Sequence, residues 1–151
     1  MMAGTVSTPK QRPTFLLEVC LILTNDRDEV LLLKRAKTGY MDGYFHVPAG
    51  HVEEGESILA AASRELLEET GVGCLAEELK LAGVLQRDTD PPRLAFFFVA
   101  ERWRGEPYNR EPDKCAALVW ANVEAMRGEI VEYVYQGIAG WQSGRLLACS
   151  K

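Results

Sequence analysis

The sequence predicts an α/β fold, a mixed β-sheet sandwiched between helices in an α/β/α arrangement, and three observations carry it. Short apolar runs at 15–24, 30–34 and 94–100 have strand length and are rich in β-branched and aromatic residues. One segment, 58–70, is bracketed by a capping serine and a terminating glycine. A second, 129–141, has the spacing of a closing helix.

In chain order, the first two strands are joined through the turn-like Asn25-Asp26-Arg27-Asp28, and 36–44 is a loop. Ser57 can accept from the first free N–H groups of a helix, and Gly71 can take the left-handed angle that ends one. Alanine, leucine and glutamate between them favour the helical state. Its apolar side reads as Ile58, Leu59, Ala62 and Leu66, a stripe made to pack on a sheet. An extended stretch at 79–87 and the apolar strand at 94–100 form a hairpin around Pro91-Pro92. The polar stretch 103–115, with Gly105, Pro107 and Pro112, is a loop, and 117–120 is a short strand. Two helices on a mixed sheet are the layered outcome.

At 151 residues and 47% hydrophobic composition, the chain has core enough for a single domain, 14–151, after a loose N-terminal tail over 1–13. A net charge of −5 supplies no basic field for a nucleic-acid polymer, and no Lys/Arg cluster suits an anionic membrane. Cys20, Cys74, Cys115 and Cys149 are scattered without a CxxC pair, which points to reduced thiols rather than zinc or disulfides. MMAGTVSTPKQRP lacks the apolar stretch of a secretory signal, so a soluble cytoplasmic protein is expected. A homodimer is compatible with the chain.

The chemistry is concentrated between Gly50 and Val72. Glu65, Glu68 and Glu69 stand at i, i+3 and i+4 on the expected helix, which places three carboxylates on neighbouring parts of one face. Such groups repel one another unless a cation intervenes, and hard oxygen ligands suit Mg²⁺, with Mn²⁺ as the alternative. A solvated surface also explains a Glu-rich face, but not a glycine set before the helix in a loop where a backbone carbonyl can approach a metal. Arg64 can pair with Glu68 at i, i+4 and orient it, and Glu56 reads as a loop-fixing residue, with metal contact through water as its alternative.

Together these residues spell glycine, five residues, glutamate, seven residues, then Arg-Glu-aliphatic-x-Glu-Glu-x-Gly-aliphatic, from Gly50 and Glu56 through Arg64, Glu65, Leu66, Glu68 and Glu69 to Gly71 and Val72. In this the chain resembles the Nudix hydrolases. The resemblance implies that the signature helix packs on a mixed sheet. It also implies Mg²⁺ held by the Gly50 carbonyl, Glu65, Glu68 and Glu69, and a small-molecule nucleotide as substrate. The reaction implied is metal-assisted attack of water on a nucleoside diphosphate linked to another group, X.

Glu101-Arg102-Trp103, Gly105-Glu106-Pro107 and Arg110-Glu111 further resemble the MutT-type triphosphatases. That likeness implies cleavage of a nucleoside triphosphate to the monophosphate and pyrophosphate. It also implies that Glu111 joins the metal site and shares with Glu65 the role of proton acceptor, Asp113 being the competing carboxylate, and that Arg35 reaches base or phosphate. Tyr40 and Phe45 are candidates for stacking on a base and Asp42 for accepting from its edge, although such aromatics also pack against sheets. His51 and His46 are expected to face outward. Three positions depart from the MutT-type pattern: Ala49 for a glycine, Val47 for an aromatic, and no asparagine after Asn122, where readers of oxidised guanine carry one. ADP-ribose or nucleotide-sugar hydrolysis, a non-catalytic nucleotide sensor and a cysteine-dependent isopentenyl diphosphate isomerase are the competing readings.

Overall fold

The computed structural model describes residue 4 and residues 6–150. Of the tail expected over 1–13, residues 1–3 and 5 lie outside the described residues, and the described remainder is exposed and carries neither helix nor strand.

Strand β1 (Leu16–Leu23) is the centre of the molecule. Its run LLEVCLIL is too apolar for a strand with one wet face, and both faces are indeed covered. Val19, Leu21 and Leu23 pack with Ala61, Ala62 and Leu66 of α1 (Ile58–Thr70), whereas Cys20 and Ile22 pack with Val134 and Ile138 of α2 (Glu132–Gln142). The alternation of strand side chains thus builds two cores, one under each helix.

Strands β1, β4 (Ala49–His51), β5 (Leu79–Arg87), β6 (Arg93–Ala100) and β8 (Leu147–Ser150) form a mixed sheet in the order β4-β1-β6-β5-β8. β5 and β6 are the expected antiparallel hairpin, β1 runs parallel to β6, and β4 is antiparallel to β1. The sheet is not continuous. β2 (Val30–Arg35), β3 (Phe45–His46) and β7 (Cys115–Ala121) make a separate antiparallel sheet in the order β3-β2-β7. β4 and β8 are absent from the sequence reading because three or four residues show no periodicity.

Helix α1 keeps its expected bounds. Ser57 Oγ accepts from Ala60 N at 3.1 Å, and Gly71 takes φ 73° while its N–H donates to Leu67 O. Its buried face is rotated from the expected one: Ala61 and Thr70 join Ala62 and Leu66, and Leu59 is 37% exposed. Ala61 is fully buried in one cluster with Val19 and Leu21 of β1, so a small residue stands where the helix meets the sheet. Helix α2 begins later than expected, because Ile130 and Val131 are extended and Val131 N donates to Phe45 O at 2.9 Å.

Candidate active site

A cleft of about 750 Å³ opens between the edges of the two sheets, with α1 on one side and the start of α2 on the other. Glu65, Glu68 and Glu69 all line it, as do Gly50, Arg35, Tyr40 and Glu111. Asp42, Phe45 and Asp113 do not.

The turn from β4 into α1 fixes the carboxylate end. A Cβ on Gly50 would overlap the carboxyl group of Glu65, so the absence of a side chain is what lets that group lie against the loop backbone. Glu69 reaches the same strand from the next turn of the helix, its Oε2 accepting from Ala49 N at 2.7 Å. Glu68, half exposed, faces the cleft mouth.

Arg64 clips helix to loop. Its Nε and Nη2 donate to the two oxygens of Glu56 at 2.7 and 2.9 Å, Nη2 also donates to His51 O at 3.0 Å, and Nη1 donates to Glu65 at 2.8 Å. The expected pair with Glu68 exists but is the longest of the set, at 3.3 Å. Glu56 also accepts from Glu53 N, and the Arg64 hydrogen bond first of all holds its carboxyl down at about 2.

Glu111 arrives from the loop before β7. Its neighbours pin that loop to the end of α1: Tyr108 N donates to Thr70 O, Arg110 N to Glu69 O, and Arg110 Nη1 to Leu67 O. Burial, then the neighbouring charges of Glu65 and Glu111, push the Glu69 carboxyl well above its ordinary range. Glu65 is likewise raised, chiefly by burial against the opposing pull of Arg64, with Glu68 and Glu111 adding to the rise.

Among the described residues no three acidic, histidine or cysteine side chains converge as a ready-made cation cage. What the site offers is a set of crowded carboxylates around the Gly50 backbone, all oxygen donors, whose mutual repulsion a divalent cation would relieve. The donor set therefore fits a hard divalent ion shared with a phosphate ligand.

The other end of the cleft differs from the sequence expectation. Arg35 lines it, its Nε donating to Tyr40 O at 2.7 Å and Nη2 to Thr38 Oγ1 at 3.0 Å, with its guanidinium 5.3 Å from the Tyr40 ring. Asp42, expected to read a base edge, holds the loop instead: Thr38 Oγ1, Thr38 N and Gly39 N all donate to its carboxylate. Phe45, expected to stack on a base, is buried in the core under α2 and bridges to Ile130. His46, expected outside, is 5% exposed. Its Nδ1 donates to Val47 O at 2.7 Å, so its Nε2 must accept from the Tyr133 hydroxyl at 2.6 Å. His51 is exposed, as expected.

Sequence reasoning missed Glu18, Arg87 and Arg93. Arg87 Nη1 donates to both oxygens of the buried Glu18 at 2.9 Å, and Arg93 Nη1 donates to Glu18 Oε1 at 2.8 Å. A glutamate in the middle of the apolar run of β1 was the available signal.

Against this geometry, the NUDIX domain model matches residues 14–137. The chain belongs to the Nudix family. As a Nudix pyrophosphohydrolase, it acts on phosphoric anhydrides, and proteins of this family generally use a divalent metal ion. It is 30% identical over 106 residues to the 8-oxo-dGTP diphosphatase of Escherichia coli, a match covering 68% of this chain and 81% of that enzyme. It is 37% identical over 84 residues to the 8-oxo-dGDP phosphatase NUDT18 of Danio rerio, covering 56% of this chain but 24% of that protein. The crystal structure of a MutT Nudix hydrolase from Burkholderia pseudomallei shares the fold, with a TM-score of 0.74 at 24% identity over 85% of this chain and 98% of that one. Among the described residues of this Nudix chain, no helix is long and apolar enough to cross a membrane.

Proposed function

We propose that this Nudix protein is a Mg²⁺-dependent hydrolase of a nucleoside diphosphate linked to X, with a (d)NTP cut to the (d)NMP and pyrophosphate as the preferred case. The observation that carries the reading is the Glu65 carboxyl lying against Gly50, beside a Glu69 anchored on Ala49 N and facing Glu111, at one end of a cleft of nucleotide size. The name of the Escherichia coli relative, a diphosphatase of a nucleoside triphosphate, supports the same cut.

In this reading Glu65, Glu68, Glu69 and the Gly50 carbonyl hold the Mg²⁺, and Glu111 completes the set. The ion, when bound, supplies charge neutralisation at the phosphate oxygens and activation of water. Glu111 or Glu65 accepts the proton of the attacking water; burial, with the neighbouring carboxylates of Glu68 and Glu111, raises the Glu65 carboxyl. Arg64 and Glu56 keep the loop and Glu65 in register, a positioning role. Arg35, held by the 38–40 backbone and side chains, and Tyr40 beside it contact the substrate, whereas Asp42 keeps their loop folded. The four cysteines, all free, suit a reducing cytoplasm.

A hydrolysis screen with Mg²⁺ over unmodified and oxidised dNTPs, NTPs, ADP-ribose, nucleotide sugars and dinucleoside polyphosphates tests the proposal, with product analysis locating the bond cut. Monophosphate and pyrophosphate from a triphosphate are expected. Turnover confined to ADP-ribose or nucleotide sugars overturns the triphosphate preference, and no turnover of any anhydride overturns the hydrolase reading.

A further inference from the structure

The cleft has a second chemical end that the hydrolytic machinery does not use. Strand alternation separates it from the carboxylates: Val19 faces the α1 core and Cys20 the α2 core, so Glu18 belongs with α2. Arg87 and Arg93 face each other across the β5–β6 pair, and both reach Glu18. Tyr133, from the first turn of α2, lies under the Arg87 guanidinium, 3.5 Å from ring centre to carbon. All four line the cleft.

Counting donors and acceptors shows what this end lacks. Two guanidiniums present ten N–H groups. One carboxylate faces them, and its oxygens already take three hydrogen bonds from their Nη1 atoms. The neighbouring groups offer little more. The Tyr133 hydroxyl donates to His46 Nε2 and so fills that ring nitrogen, no hydrogen bond from either arginine reaches the hydroxyl oxygen, and the His51 ring accepts from Arg93 Nη1 at 3.2 Å. Arg93 Nε is buried with no partner at all. Burial holds His46 neutral, with its imidazole down at about 4, so the end of the cleft carries one positive charge in excess.

A surplus of fixed donors beside an aromatic ring selects for acceptors. A guanidinium pairs its N–H groups with a ring-edge carbonyl oxygen and, in a 6-oxopurine, with N7 as well. An amino group at the same place meets donor with donor and leaves the guanidinium unpaired, which is how polar sites reject close analogues. We infer that Arg87 and Arg93 read the edge of the nucleobase and set a preference for carbonyl over amino substituents, taking 6-oxopurines over adenine and uracil over cytosine. This rests on the nucleotide-hydrolase reading in placing the base, not the phosphates, at this end.

The test is equilibrium binding of matched nucleoside monophosphates to the full chain by calorimetry, IMP against AMP and UMP against CMP. Each pair exchanges a carbonyl for an amino group at the edge in question. The wild type is expected to bind the oxo member roughly tenfold or more tightly. Arg93→Gln, at a partly exposed position, should bring both ratios toward one. The double variant Glu18→Leu, Arg87→Met removes the carboxylate together with its more buried partner, leaves Arg93 as the one remaining reader, and should likewise bring both ratios toward one. Equal wild-type affinities within each pair, no binding of any of the four, or ratios untouched in both variants each overturn the inference. Selective binding of IMP by a protein that hydrolyses no anhydride leaves this inference standing and defeats the hydrolase reading alone.

Discussion

The carboxyl group of Glu65 occupies the space that a side chain on Gly50 would fill. The atoms in the way are the far end of a flexible side chain, so Gly50→Ala should displace Glu65 without unfolding the protein. The expected result is a kcat reduced by roughly a hundredfold, since misplacing a reacting group by about 1 Å costs that order, with a melting temperature near wild type. Unchanged kcat contradicts the role given to this contact.

Arg64 spends two hydrogen bonds on Glu56 and one on Glu65, so the loop and the helix share one guanidinium. Glu56→Gln should free Arg64 to move and lower kcat by about 10–100-fold, the usual cost of losing a supporting partner. The pH profile carries the sign. Because the folded carboxyl of Glu56 is lowered to about 2, its support is complete above the ordinary carboxylate range and is lost as the pH falls through about 2. The wild type should therefore keep its loop protected from proteolysis at about pH 4, and Glu56→Gln should not.

His46 tests the α2 core. Burial pushes its imidazole down from 6.5 to about 4, so the folded state holds it neutral while the unfolded chain protonates it near 6.5. The stability it contributes is complete above pH 6.5 and falls away as the pH drops from 6.5 to about 4, by about 3 kcal/mol in all. Denaturant titrations across that range should show the loss in the wild type and a flatter curve in His46→Asn. A parallel pair of curves contradicts the buried neutral imidazole.

Gly137 stands in α2 with its missing side chain aimed at the ring of Phe97, which a Cβ would overlap. Helix propensity alone favours alanine there. Overpacking wins: Gly137→Ala should destabilise by about 1–3 kcal/mol, read as a lowered melting temperature. A stabilised variant would show that α2 is free to shift on the sheet.

How much of this was legible depended on how local each signal was. Helix α1 could be bounded to the residue because Ser57 and Gly71 act on their own neighbours, and the carboxylates follow from its period. The hairpin and strand β1 could be read from apolar runs, though not the burial of β1 on both faces. Phe45 and His46 could not be placed, because a two-residue strand has no period and their burial depends on Ile130 and Tyr133, far along the chain. Glu18 went unread inside the apolar run of β1; its meaning lies with Arg87 and Arg93, 69 and 75 residues away. The Tyr40 loop could be placed at the cleft, but not the hydrogen bonds that commit Asp42 to Thr38 and Gly39.

The role of the carboxylates is tested most directly by Glu69→Gln, assayed for nucleoside triphosphate hydrolysis with Mg²⁺ beside its thermal melt. Glutamine can still accept from Ala49 N and removes a buried, repelled charge, so the melt should be at least as high as wild type. Turnover should fall by at least roughly a hundredfold. Near wild-type hydrolysis by a folded Glu69→Gln protein would contradict the account.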